Sequence, residues 1–306
     1  MLSYFFRRLL QSIIVLIIVT MCAFLLVRLA PGNPAAMLLP DEASDEQVRL
    51  MEIKMGLDKP LPLQYWNYFS GVLRGDLGTS FVYKQPASTI IVQRIPNTLI
   101  LAIASILLSC LIAIPLGIVA GSTRGSVIDL FAMMFAILGQ SLTAMWLGVL
   151  LIFVFAVNLG WLPAMGSGGI RHLIMPALTM AFPMAAGLTR VARSGIVDTL
   201  SEDYISATYA KGVSGFQVYT KYALRNAMIP VSTMLGLNLA GTLAGSVIVE
   251  TVFGWAGIGQ LMTQSVNSRD YPMVQSLLLI SAFLFTGINF LTDIVNSFID
   301  PRLSLN

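Results

Sequence analysis

The stretch "TLILAIASILLSCLIAIPLGIVA", Thr98 to Ala120, contains no charged residue. About 20 mostly apolar residues suffice for a helix to cross the ~30 Å hydrocarbon core of a bilayer, so this stretch reads as a membrane span. Similar runs extend from Leu9 to Leu29, Leu130 to Val157, Leu173 to Val191, Pro230 to Val249 and Val274 to Ile299. The expected fold is therefore an all-α integral membrane protein with six transmembrane helices. Pro176, Pro183 and Gly187 interrupt the fourth span, which is tolerated where neighbouring helices satisfy the freed backbone groups. Composition agrees, because 56% of residues are hydrophobic and 11% charged, where a soluble domain carries about 25% charged residues.

Basic residues in short loops orient the spans. Arg7, Arg8, Arg124, Arg193, Lys211, Lys221, Arg225 and Arg302 fall on one side, and only Arg171 and Arg269 on the other. Both termini are thus expected on the cytoplasmic side of the membrane. The apolar run Leu9 to Val27 is longer than the core of a signal peptide, so residues 1–30 read as a retained anchor helix. Residues 31–96 form a small helical extracytoplasmic cap, and residues 97–300 the transmembrane core with a cytoplasmic hairpin at 195–229. In the cap, Ser44 and Gln47 make a capping box, Asp45 and Glu46 complement the helix dipole, and Gly56 ends the helix. A second cap helix is expected from about Gln64 to Leu73.

Several chemistries are excluded. The dipeptide Gly-Lys never occurs, so the chain carries no Walker A loop. His172 is the only histidine, which rules out an HExxH zinc site, and no metal site is expected. A net charge of +3 without a basic cluster argues against nucleic acid. Cys22 and Cys110 lie apart in apolar runs and read as buried hydrophobes. Asp129 and Asp293 lack the glycine-flanked setting of an intramembrane aspartyl pair, and "GWAGIG", Gly254 to Gly259, reads as turns. In the last span Thr286, Asn289, Asp293 and Asn296 share one helical face. That stripe is either a hydrogen-bonded helix seam or part of a polar pathway. The small residues Gly241 to Gly245 mark a close helix approach.

"SATYAKGVSGFQVYTKYALRNAMIP", Ser206 to Pro230, is a polar island with three basic residues and no acidic one. A helix from about Glu202 to Lys211 presents Ala207 and Ala210, Gly212 ends it, and Ser214 with Gln217 caps a second helix bearing Phe216, Tyr219 and Ala223 on one face. Such a hairpin either packs beneath its own bundle or docks a partner.

The island resembles the EAA loop of ABC-importer permeases, in which Glu-Ala-Ala precedes a glycine and then Ile-x-Leu-Pro. Ala207, Gly212 and Leu224 match; Ser206, Thr208, Tyr222 and Arg225 depart. "DYISATYAKGVSGFQVYTKYALRNAMIP" is similar to the version in the dipeptide/oligopeptide/nickel branch. "RLAPGNPA", "GLDKPLPLQYWNYFSGVLRGDLGTSF", "LGWLPAMG", "VETVFGWAGIGQL", "NSRDYPMVQ" and "DPRL" resemble that branch's recurring phrases in the same order. Ala256 stands where the family commonly has proline. The resemblance is to the B-type permease and implies a type I ABC importer fold. It implies an ATPase-coupling loop at Asp203, Ser206, Ala207, Lys211, Gly212, Leu224 and Arg225. The implied partners are a homologous second permease, two ABC ATPase subunits, an extracytoplasmic substrate-binding protein and the lipid bilayer. No cofactor is expected on this chain, with ATP and Mg used by the partner ATPases. Peptide is the expected cargo, with nickel, metal–chelator complexes and glutathione as alternatives. An ion-coupled secondary transporter using the Asp293 stripe is the alternative of a different class.

Overall fold

The computed structural model describes residues 2–29, 35–36, 39, 43–54 and 56–299. Among these residues the chain is helical, and its sole β-type pairing is an isolated bridge between Thr79 and Pro86. The helices are α1 (Leu2–Leu29), α2 (Asp45–Lys54), α3 (Leu61–Leu73), α4 (Ala87–Ser122), α5 (Val127–Ser141), α6 (Ala144–Leu151, continued by π turns to Asn158) and α7 (Ile170–Leu200). They continue as α8 (Asp203–Ala210), α9 (Gly215–Gln217), α10 (Leu224–Val252, joined to α9 by π turns), α11 (Ile258–Asn267) and α12 (Tyr271–Ile299).

Four uninterrupted helices, α1, α4, α7 and α12, are long and apolar enough to cross a bilayer. Two bent pairs raise the number to six if each pair counts as one crossing. The expected third span is broken at Leu142 and Thr143, and its halves α5 and α6 meet at 101°. The stretch from Gly215 to Val252 bends by 53° between Thr242 and Ser246. The side chains of residues 243–245 lie outside the described set, including Gly245 of the expected close-packing stretch.

The fourth span is one continuous helix despite Pro176 and Pro183. Its apolar stretch is 61% buried, against 28% for α4 and 11% for α12, so α7 is the central post of the bundle. It packs most extensively on α4, with α5, α6 and α10 around it. That closeness comes from small residues. Gly117 and Gly121 of α4 lie against Ala192 and Ile196 of α7, and Gly139 of α5 lies against Ala186, with no room for a β-carbon at any of the three. The prolines survive because tertiary packing, rather than propensity, holds the helix.

The cap forms as its signals require. Ser44 N donates to Gln47 Oε1 at 3.0 Å, Gln47 N donates to Ser44 Oγ at 3.4 Å, and Gly56 takes φ +67° after α2. The second cap helix begins at Leu61, a few residues earlier than expected, because Pro60 and Pro62 are favourable at a helix start. It leans on α1 through Tyr65, whose hydroxyl lies 2.9 Å from that of Thr20 and whose ring meets Phe24 edge-on at 5.5 Å. The phrases "RLAPGNPA" and "DPRL" fall largely or wholly outside the described residues.

Candidate functional site

The hairpin is built by local chemistry. Helix α8 ends in a Schellman turn, in which Gly212 N donates to Tyr209 O at 2.9 Å and Val213 N to Thr208 O at 3.4 Å. Gly212 sits at φ +80°, a conformation that only glycine adopts readily. Ser214 then accepts from Gln217 N at 3.4 Å and starts the ascending helix. Asp203, Ser206, Ala207, Lys211 and Gly212 are all exposed on α8 and its turn. Arg225 is exposed at the foot of α10, and Leu224 is half-buried there.

The second arm departs from the expected single apolar face. Phe216 is 76% exposed, whereas Ala223 is fully buried. The π turns over Val218–Ala223 are the cause, because an i→i+5 pattern shifts the helical phase and brings Val218 and Ala223 to the buried side instead. The arm also does not stop at Pro230; the helix runs through it into the fifth span.

The hairpin is rooted in the bundle. Ile205 is 2% exposed, Tyr204 Oη accepts from Asn226 Nδ2 at 2.6 Å, and Ala223 and Ala227 pack with Ile196 of α7. Gly195 of α7 admits Ala227 so closely that a β-carbon there would lie 2.9 Å from its Cα. Tyr209 is linked to Tyr219 by a side-chain hydrogen bond, which with partial burial raises the Tyr209 phenol above its usual value. On the same helix, Arg193 of α7 makes a two-pronged ion pair with Asp129 at the start of α5, at 2.5 and 2.7 Å. Asp129 also accepts from Gly125 N at 2.9 Å. The α4–α5 loop and the base of the hairpin are thus tied to the same helix.

Asp293 meets Arg8 of α1 at 3.1 Å. Thr286, Asn289 and Asp293 face α1 across a groove of about 460 Å³ that Gln11 and Ser12 also line. The Asn296 side chain lies outside the described residues. With Asp129 on Arg193 and Asp293 on Arg8, the two acids occupy separate ion pairs rather than one aspartyl site.

Two buried acids escaped the sequence reading. Glu250, 0% exposed at the end of α10, accepts from Thr98 Oγ1 at 2.8 Å, Gly259 N at 2.7 Å and Gln260 N at 3.0 Å. Its carboxylate therefore sits on the N-terminus of α11, where unpaired amides and the helix dipole favour an anion. Around it Trp255 Nε1 donates to Asn97 O at 2.9 Å, and Asn97 Nδ2 donates to Ala256 O at 2.8 Å. The Gly257 and Gly259 backbones lie too close to Glu250 and Val247 to admit a β-carbon. "GWAGIG" is thus a carboxylate cradle as well as a turn, and the available signal was an acid closing an apolar run just before spaced glycines. Asp270, 1% exposed, accepts from Ser80 Oγ, from Phe81 N at 3.1 Å and from Val82 N at 3.2 Å. It fastens the end of the cap to the turn before α12.

Together these features make a helical bundle fit to cross a membrane, with fastened loops at one end and an exposed, rooted hairpin at the other. Residues 113–305 match the family described as binding-protein-dependent transport system inner membrane component, and residues 1–102 match its N-terminal family. The chain is 43% identical over 303 residues to the glutathione transport system permease protein GsiC of Salmonella typhimurium, covering 99% of both chains. It is 42% identical, with the same coverage, to that of Escherichia coli K12. Its fold is similar to that of a chain in the inward-facing MetNI methionine ABC transporter, with a TM-score of 0.59 at 20% identity, over 69% of this chain and 97% of that one. The chain belongs to the binding-protein-dependent transport system inner membrane components, and it is a permease subunit of an ABC importer. Family membership sets aside the ion-coupled secondary transporter.

Proposed function

We propose that this chain forms, with a homologous second permease, the path for short peptides delivered by an extracytoplasmic binding protein. The hairpin of α8 and α9 seats in a groove of one of two ATPases that bind and hydrolyse ATP with Mg, and this chain holds no cofactor of its own. Both termini and the hairpin lie in the cytoplasm, and the cap faces outward. ATP-driven closure of the ATPases moves the hairpins together and opens the spans outward; hydrolysis resets them. The observation that carries this reading is the hairpin itself: an exposed helix bearing Ser206 and Ala207, rooted by Ile205, Ala223 and Ala227, with a second arm that runs on into the membrane helix α10. A partner pressing on α8 would move α10 directly.

Peptide cargo, glutathione included, is supported by the named relatives, since glutathione is itself a tripeptide. Nickel and metal–chelator cargo remain the alternatives within the same assembly. The test is mild purification of the tagged chain from its host membranes, mass spectrometry of what stays bound, and uptake of labelled glutathione and tri-alanine by the reconstituted assembly. A second permease and Walker A ATPases, with ATP-dependent uptake, support the reading. Recovery of an active chain without them refutes it.

A further inference from the structure

The break in the third span opens a second site. Where α5 and α6 part at 101°, a cleft of about 310 Å³ lies between them, α7 and α10. Irregular backbone in a membrane protein is tolerated where it lines a cavity. Gln140, Met180, Met184, Met234, Asn238 and Thr242 line it, and none of its lining side chains is charged. Asn238 stands midway along α10, and its Nδ2 is buried without a hydrogen-bond partner. The Thr242 hydroxyl donates to the Asn238 backbone carbonyl at 2.6 Å and does not pair with the Asn238 amide nitrogen. Gly187 of α7 keeps the cleft open; a β-carbon there would lie 2.6 Å from Met234 Cε and 3.1 Å from Gln140 Nε2.

An unpaired buried amide is costly, and one retained beside a cavity suits a ligand that completes it. We infer that this cleft is a contact site for the backbone of a short peptide in transit, with the Asn238 and Gln140 amides pairing with its peptide groups. Each side-chain amide offers both a donor and an acceptor, which matches the C=O and N–H of a peptide unit. The three methionines supply flexible, polarizable surface that adapts to differing side chains. A wall without charge neither holds a cargo tightly nor repels one by the sign of its side chains, which suits passage of varied peptides. The inference rests on the peptide-importer reading and adds where on this chain the cargo is touched.

The test uses the full importer, purified with its ATPases, reconstituted with its binding protein, and supplied with labelled tri-alanine. Asn238→Leu keeps the bulk and removes the amide, and it should lower ATP-driven uptake about tenfold, the order expected for one lost hydrogen bond. Asn238→Gln, which retains an amide, should recover part of that loss. Should the leucine variant fail to assemble, Asn238→Cys in a Cys22→Ala, Cys110→Ala background decides the matter. The cationic thiol reagent MTSET should modify it, and turnover with tri-alanine should slow the modification. Wild-type uptake by Asn238→Leu, or no reaction of Asn238→Cys in the transporting assembly, overturns the inference and leaves the importer intact. A wild-type assembly that moves neither tri-alanine nor glutathione overturns the peptide reading and this site with it.

Discussion

Replacing Glu250 with alanine should loosen the cap side of the bundle while leaving its membrane spans intact. The carboxylate is fully buried and receives Thr98 Oγ1, Gly259 N and Gln260 N. Thr98 has a second bond, accepting from Ile258 N at 2.8 Å, and its hydroxyl can turn toward another acceptor. The two amides are fixed by the helix. Each donor left unpaired costs about 1–3 kcal/mol, so the alanine variant loses about 2–6 kcal/mol. Glu250→Gln keeps one acceptor oxygen but turns an NH₂ toward a donor, a loss of about 1–3 kcal/mol. At about 2–4 °C per kcal/mol, the alanine variant should melt on the order of 10 °C below wild type and the glutamine variant between them. The assay is thermal loss of the monodisperse peak in detergent, followed by size-exclusion fluorescence. Gly257→Ala gives an independent arm. Gly257 has an ordinary φ of −104°, so its alanine is destabilising only because a β-carbon would overlap the Glu250 carboxylate. The double variant should therefore lose less than the sum of the two single losses. An alanine variant within about 2 °C of wild type, or strict additivity with Gly257→Ala, would refute the cradle.

Gly212→Val forces a β-branched residue into φ +80° at a local cost of about 1–2 kcal/mol; membrane insertion should persist while uptake falls relative to ATP hydrolysis, and unchanged uptake per ATP counts against coupling through this turn. Asp129→Asn should destabilise the protein by about 1–2 kcal/mol, an amount between that of an exposed and that of a buried pair. The exchange Asp129→Arg with Arg193→Asp should recover part of that stability, and equal losses in the single and exchanged variants would show that the pair contributes nothing. In a Cys22→Ala, Cys110→Ala background, Ser214→Cys should react with an impermeant thiol reagent only from the cytoplasmic side and Asp58→Cys only from outside, and reversed labelling overturns the orientation.

The spans were legible because their signal is long and repeated. Twenty apolar residues leave few alternatives, and capping residues such as Ser44 and Ser214 act within one turn of chain. What the sequence hid acts across it. The 101° break at Leu142 and Thr143 carries no glycine or proline; Thr143 accepts from Trp146 N at 3.4 Å and so starts a new helix inside an apolar run. The π turns at Val218–Ala223 overrode the 3.6-residue face on which Phe216 and Ala223 were paired. Within the hairpin, the exposed small residues of α8 were readable from composition, but the burial of Ile205 depends on the second arm folding back against α8. Glu250 and Asp270 escaped notice because their donors come from turns that only tertiary packing brings near. Asn238 escaped notice as well, since nothing nearby in sequence announces that Gly187 leaves it a cavity.

The Arg8–Asp293 pair joins the first membrane helix to the last. During synthesis, Arg8 emerges at the start and Asp293 only after 284 further residues have been made. Until then α1 lacks the acid with which Arg8 pairs in the finished bundle. A chain cut short before α12 would therefore lack the contact that closes the first membrane helix onto the last. The same pair makes closure of the bundle a late step, completed only when the last helix has been made.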